Sequence, residues 1–139
     1  IRRAVLYLSG LGYFEPYLNG GRIGEQVLGP NWTDYDDRQI EGLLYPFEDR
    51  TSKRVHYLQY DVTDRLRQGE NAIGVMLGNG FYNQTERTVE GKMRYGAPKL
   101  IAQLVMTYED GTSDGVRSDA GWKCSAGPIV FNNVFCGEV

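Results

Sequence analysis

The chain has 139 residues, 15 Lys and Arg against 18 Asp and Glu for a formal net charge of −3, and 41% hydrophobic content. That length holds one domain with a core of its own, and ordinary apolar and charged fractions exclude a disordered tract. The acidic balance, with no basic stripe, excludes a nucleic-acid binder, whose affinity comes mostly from cations neutralising phosphates. The longest apolar runs, at 72–77 and 100–106, fall far short of the roughly 20 residues of a membrane-spanning helix.

Taken in chain order, Val5 and Tyr7 open an alternating pattern that predicts a strand over 2–8, and a second is predicted over 13–18. Period two in short runs bounded by Gly, Asn and Asp is the mark of a half-buried strand. Asn19-Gly20 follows as a hairpin signal, because both residues tolerate the positive φ of a tight two-residue turn. A long segment, 29–54, then breaks the rhythm before Val55, Tyr57 and Gln59 restore it over 55–61. A helical turn is expected at 61–68, capped by Asp61 or Thr63 and ended by Gly69. Strands are expected next at 71–77, 99–108, 112–118 and 129–135, with a second long segment at 78–98 and a hairpin at Asp110-Gly111. Seven strands and no long amphipathic helix predict an all-β antiparallel sandwich. The first residues already read as strand and the last, FCGEV, carry no tail, so residues 1–139 are expected to be a single module of a longer, multidomain polypeptide.

Cys124 and Cys136 are the only cysteines. They allow one pairing, provided their Cα atoms come within about 7 Å, and the simpler reading is two buried free thiols. With the single His56 they make too few ligands for zinc.

Catalytic signatures are scarce. Hydrolysing a glycoside takes two carboxyl groups facing the sugar roughly 5–9.5 Å apart. Glu15, Glu25, Asp34, Asp36, Asp37 and Glu41 are candidates in name, with solvated surface acids as the ordinary reading. No G-x-S-x-G elbow, H-E-x-x-H helix or P-loop occurs, and GLGYFEP lacks the third glycine of a dinucleotide loop. His56 is better read as a strand residue than as a general base.

The long segments hold different chemistry. Sugars offer apolar C–H faces and many hydroxyls, so their sites combine aromatic platforms with amides and carboxylates. Trp32, Asp34, Tyr35, Asp36 and Asp37 lie together in the first segment, and Asn79, Phe81, Tyr82 and Asn83 in the second, with Tyr95 further on. In this reading Trp32 or Tyr82 stacks on a sugar face while Asp34, Asp36, Asn79 or Asn83 binds its hydroxyls. The competing reading is that these aromatics plug the rim of the sandwich. The acid run Asp34, Asp36, Asp37 could also give oxygens to Ca²⁺, although it lacks the glycine and distal glutamate of an EF-hand. No cofactor is otherwise required.

The run AVLYLSGLGYFEPYLNGGRIGEQVLGPNWTDYDDR, followed in order by YLQYDVTDRLRQGENAIGVMLGNGFYN, APKLIAQLVMTYEDGT and GWKCSAGPIVFNNVFCGEV, resembles the amino-terminal β-sandwich domain of bacterial α-L-rhamnosidases, in glycoside hydrolase family 78. The resemblance implies a galactose-binding-like jelly roll standing before an (α/α)₆ barrel that holds the catalytic acid and base. It also implies, for some members, calcium-assisted binding of L-rhamnose. The expected role is thus a non-catalytic accessory module, with the barrel of the same polypeptide and a rhamnose-containing oligosaccharide as partners. A structural spacer without a sugar site and a lectin-like adhesion module stand as alternatives. Two departures are visible: residues 38–54 are inserted relative to the family pattern, and Phe81 stands where tryptophan is common.

Overall fold

The computed structural model describes residues 1–33, 35, 54–84 and 94–134, with the backbone of 137–138. Its strands are β1 (Arg3–Leu11), β2 (Tyr13–Leu18), β3 (Gly21–Arg22), β4 (Tyr57–Asp61), β5 (Ile73–Gly78), β6 (Lys99–Thr107), β7 (Ser113–Arg117), β8 (Asn132–Asn133) and β9 (Gly137–Glu138). All pair antiparallel, in sheets ordered β4-β1-β6-β7, β3-β2-β5 and β8-β9. No helix among the described residues is long and apolar enough to cross a membrane.

Alternation along the strands puts one side of each larger sheet into a shared core. On β1, Ala4, Leu6 and Leu8 are at most 1% exposed, and the register Leu6↔Leu104 and Leu8↔Ala102 brings the inward residues of β6 beside them. Phe14 and Leu18 from β2 close the core from the other sheet, with Ile73 and Val75 of β5 packed against it. Ile23 and Val62 fill its edges. Each fully buried leucine contributes about 1.5–3 kcal/mol, so β1, flanked by strands on both sides, is the spine of the domain.

Between β1 and β2 the chain changes sheets in a single residue, Gly12. Its φ is 106°, and a Cβ there would lie 2.4 Å from the Gly78 carbonyl oxygen. Only glycine fits that conformation and that contact. The β2–β3 hairpin turns at Asn19 and Gly20, with φ of 53° and 82°, the double positive φ of a type I′ turn. Asn19 also locks the turn to the far side of the sheet: its amide oxygen accepts from Ala72 N at 3.0 Å, and its amide nitrogen donates to Asn71 Oδ1 at 2.9 Å.

The helical turn expected within 61–68 is present as one 3₁₀ turn, Thr63–Arg65, ended where Leu66 turns extended, and the Asp61 carboxylate accepts from Thr63 N at 3.0 Å and from its hydroxyl at 2.6 Å at the start of it. Two expectations need correction. The strand expected at 129–135 shrinks to Asn132–Asn133, paired with Gly137–Glu138. Its apolar run has no inner face to fill, since Val130 is 85% exposed. Cys124 is an exposed free thiol rather than a buried one; Cys136 lies outside the described residues.

Candidate functional site

The two long segments meet at one end of the sandwich, as far as residues 29–33, 35, 79–84 and 94–98 show. Gly29 is drawn to β2 by its carbonyl, which accepts from Phe14 N at 2.9 Å, and a few residues on Trp32 and Tyr35 pack against rings of the second segment. The second segment begins as β5 ends. Tyr82 N and Asn83 N both donate to the Asn79 carbonyl, at 3.2 and 3.1 Å, and the chain returns as Tyr95 N donates to Tyr82 O at 3.0 Å.

Two aromatic groups result. Trp32 and Phe81 stack with centroids 4.8 Å apart and planes at 30°. Tyr35, Tyr82 and Tyr95 form a trio, Tyr35 edge-on to Tyr82 at 5.0 Å and to Tyr95 at 5.5 Å, while Tyr82 and Tyr95 stack at 5.7 Å. Each such pair adds about 0.5–1.5 kcal/mol beyond its buried area. Burial raises the Tyr35 hydroxyl above its usual pKa, against a main-chain hydrogen bond with Thr33 that lowers it.

The two groups differ in what they offer a ligand. Tyr82 is 6% exposed and sits against two other tyrosines, so the ring face that stacking would need is covered. Trp32 is 56% exposed and leaves one indole face open. The amides are also committed. Asn79 donates from its side chain to Asn132 O at 3.2 Å and accepts from Asn83 Nδ2 at 2.9 Å, while Asn79 N donates to Asn132 Oδ1 at 2.8 Å. Asn79 and Asn83 therefore shape the loop before they bind anything. Asp34 and Asp36, with Asp37, lie outside the described residues.

Sequence reasoning missed Gln84 and Asn132. Gln84 is buried, its amide nitrogen donating to Gly80 O and its oxygen accepting from Val134 N at 3.4 Å. Its place four residues after Gly80 was the available signal.

Among the described acids, Glu15 is tied down: Oε2 pairs with Arg22 Nη2 at 2.8 Å, and Oε1 accepts from the Tyr17 hydroxyl. Glu25 is exposed, and Glu41 lies outside the described residues. His56 is exposed and lends its carbonyl to Ser9 Oγ at 2.9 Å. No group of three His, Cys, Asp or Glu able to hold a metal ion gathers among the described residues, so the calcium idea rests on the acid run alone.

The family model for the alpha-L-rhamnosidase N-terminal domain matches residues 1–45 and 40–139. An alpha-L-rhamnosidase of Formosa agariphila is 38% identical over 143 residues, which take in 99% of this chain and 13% of that protein. Among solved structures, the Streptomyces avermitilis alpha-L-rhamnosidase complexed with L-rhamnose matches at TM-score 0.78 and 38% identity, over 99% of this chain and 12% of that one. The alpha-L-rhamnosidase from Dictyoglumus thermophilum matches at TM-score 0.75 and 42% identity, over 99% of this chain and 13% of that one. The chain thus spans about an eighth of the length of the relatives it matches.

Proposed function

This chain belongs to the alpha-L-rhamnosidase N-terminal domain family, and from that premise we propose a non-catalytic accessory module of an α-L-rhamnosidase-like glycoside hydrolase, docked on the catalytic barrel of the same polypeptide and binding rhamnose-containing glycans at Trp32. The observation that carries the glycan reading is the open indole of Trp32, stacked on Phe81 from one side and 56% exposed. Such a ring stacks on the C–H face of a sugar, and the acid run that follows it supplies hydroxyl acceptors or calcium ligands. The non-catalytic role is supported by length: most of each relative lies beyond the part that this chain matches. Docking is supported by the outer face of the β4-β1-β6-β7 sheet, where Tyr57 is 64% and Ile101 71% exposed around the half-buried Tyr7. Apolar surface of that kind suits burial against a neighbouring domain.

Titrating the 139-residue chain with L-rhamnose, with and without Ca²⁺, and following tryptophan emission and heat tests the binding. A saturable change lost in Trp32→Ala is expected. A flat response at millimolar sugar leaves the spacer reading, which the internal use of Asn79, Tyr82 and Asn83 favours. Release of p-nitrophenol from an aryl rhamnoside by this chain alone would overturn the non-catalytic role.

A further inference from the structure

We propose that the outer face of the β3-β2-β5 sheet carries a second glycan subsite, a trough that borders the 79–84 loop at Gly80 but is lined by none of the loop aromatics, and that takes one neutral monosaccharide unit with an apolar edge. The choice of a sugar rests on the glycan reading above; the trough itself rests on geometry.

Strand β2 sends Phe14, Pro16 and Leu18 inward, which leaves Tyr13, Glu15 and Tyr17 on its outer face. Across the register, Glu15 stands opposite Met76, Tyr17 opposite Gly74, and Tyr13 opposite Gly78. Gly78 keeps the floor beside Met76 low, with the Asn132 side chain 3.2 Å from where its Cβ would stand, and the strand runs on past Met76 to Gly74, where a Cβ would meet nothing within 4 Å. The walls are the 26–28 loop on one side and the 132–134 segment on the other, enclosing a cavity of about 310 Å³. That volume lies at the small end of the range for ligand pockets. Neither Trp32, Tyr35, Phe81 nor Tyr82 lines it.

The lining chemistry selects the ligand. The Glu15 carboxylate is oriented by Arg22 and Tyr17, one donor on each oxygen, and a carboxylate has about four acceptor positions. Those remaining face sugar hydroxyls as strong, charge-assisted acceptors. Gln26 accepts the Tyr60 hydroxyl on its amide oxygen at 3.3 Å, leaving its amide nitrogen as a donor on the rim. Paired with Arg22, Glu15 presents no net charge, which favours a polyol over an ion. Met76 and the Tyr13 ring give the apolar floor.

The wall itself is unusual. Val27 and Leu28 are 74% and 67% exposed, and Leu28 sits at a φ of 61°. A bulky residue rarely adopts that region, and backbone held there is strained. Two exposed apolar side chains on strained backbone add little to the core; a wall that meets a ligand explains them.

Titration of the ¹⁵N-labelled chain with L-rhamnose, followed by amide chemical shifts, tests the proposal. Saturable shifts are expected at residues 13–17, 26–28 and 74–78, retained in Trp32→Ala. They should weaken about tenfold in Glu15→Gln, the loss of one hydrogen bond to a charged group, and vanish in Met76→Phe, which fills the floor while the thermal melt stays unchanged. Shifts confined to 31–33, 35 and 81–84 would overturn the trough and keep the Trp32 site. Equal affinity in Glu15→Gln, Met76→Phe and the unaltered chain would overturn it as well, and no shift anywhere would overturn both glycan readings.

Discussion

Replacing Gly12 by alanine tests how the two sheets are joined. The new methyl would stand 2.4 Å from the Gly78 carbonyl oxygen and 3.2 Å from that of Asn79, at a φ of 106°. Two costs combine. Holding a side-chain-bearing residue at such a φ costs of order 1–3 kcal/mol. Pushing the end of β5 away by roughly half an ångström or more is overpacking, which costs typically 1–3 kcal/mol. The expected loss is about 2–6 kcal/mol, a large share of the 5–15 kcal/mol by which domains are usually stable. Gly20→Ala separates the terms, since Gly20 also has a positive φ, 82°, but a Cβ there meets nothing within 4 Å. It should cost only about 1–2 kcal/mol. Urea unfolding followed by the emission of Trp32 and Trp122 measures both, and with a slope of about 1–3 kcal/mol per molar the two midpoints should differ by about 1 M. Coincident midpoints would refute the claim that contact with β5, and not backbone conformation alone, reserves position 12 for glycine.

Leu6→Ala, at a position 1% exposed, should cost about 2–5 kcal/mol, whereas Ile101→Ala, 71% exposed on the same sheet, should stay within about 0.5 kcal/mol; chemical denaturation of the two distinguishes them. The Thr63 hydroxyl and N–H hold the Asp61 carboxyl below its usual pKa. A depressed folded pKa stabilises above the unfolded value and is lost as pH falls through the folded one, so Thr63→Val should raise the Asp61 pKa and flatten the acid limb of the stability profile, read by carboxyl NMR and melting at pH 2–5. Asn132→Ala removes the acceptor of Asn79 N and should cost about 1–3 kcal/mol, with faster amide exchange at 79–83; unchanged exchange there would count against the clamp.

What the sequence made legible is what depends on neighbours along the chain. Strand β2 occupies the expected 13–18 because each of its residues obeys period two, and the turn at Asn19-Gly20 follows from the φ those residues accept. Long-range partners left no local trace. The run Ile129-Val130-Phe131 has strand-forming side chains, yet Val130 faces solvent and the following Asn132 bonds to Asn79, 53 residues away. The site behaves likewise: composition marks Trp32, Tyr35, Phe81 and Tyr82 as one aromatic set, but only packing separates the open Trp32 from the covered Tyr82. Glu15, read first as a candidate acid, becomes intelligible once β5 lays Met76 and two glycines beside it.

The two-sided grip of Asn132 on Asn79 makes the aromatic end of the domain answerable to the segment around residue 132. Force or displacement applied just downstream would travel through those amides into the turn beneath Tyr82, and from there to Tyr35 and Tyr95. The loop that carries those rings is therefore held to residue 132 by two amide hydrogen bonds, 53 residues apart in sequence.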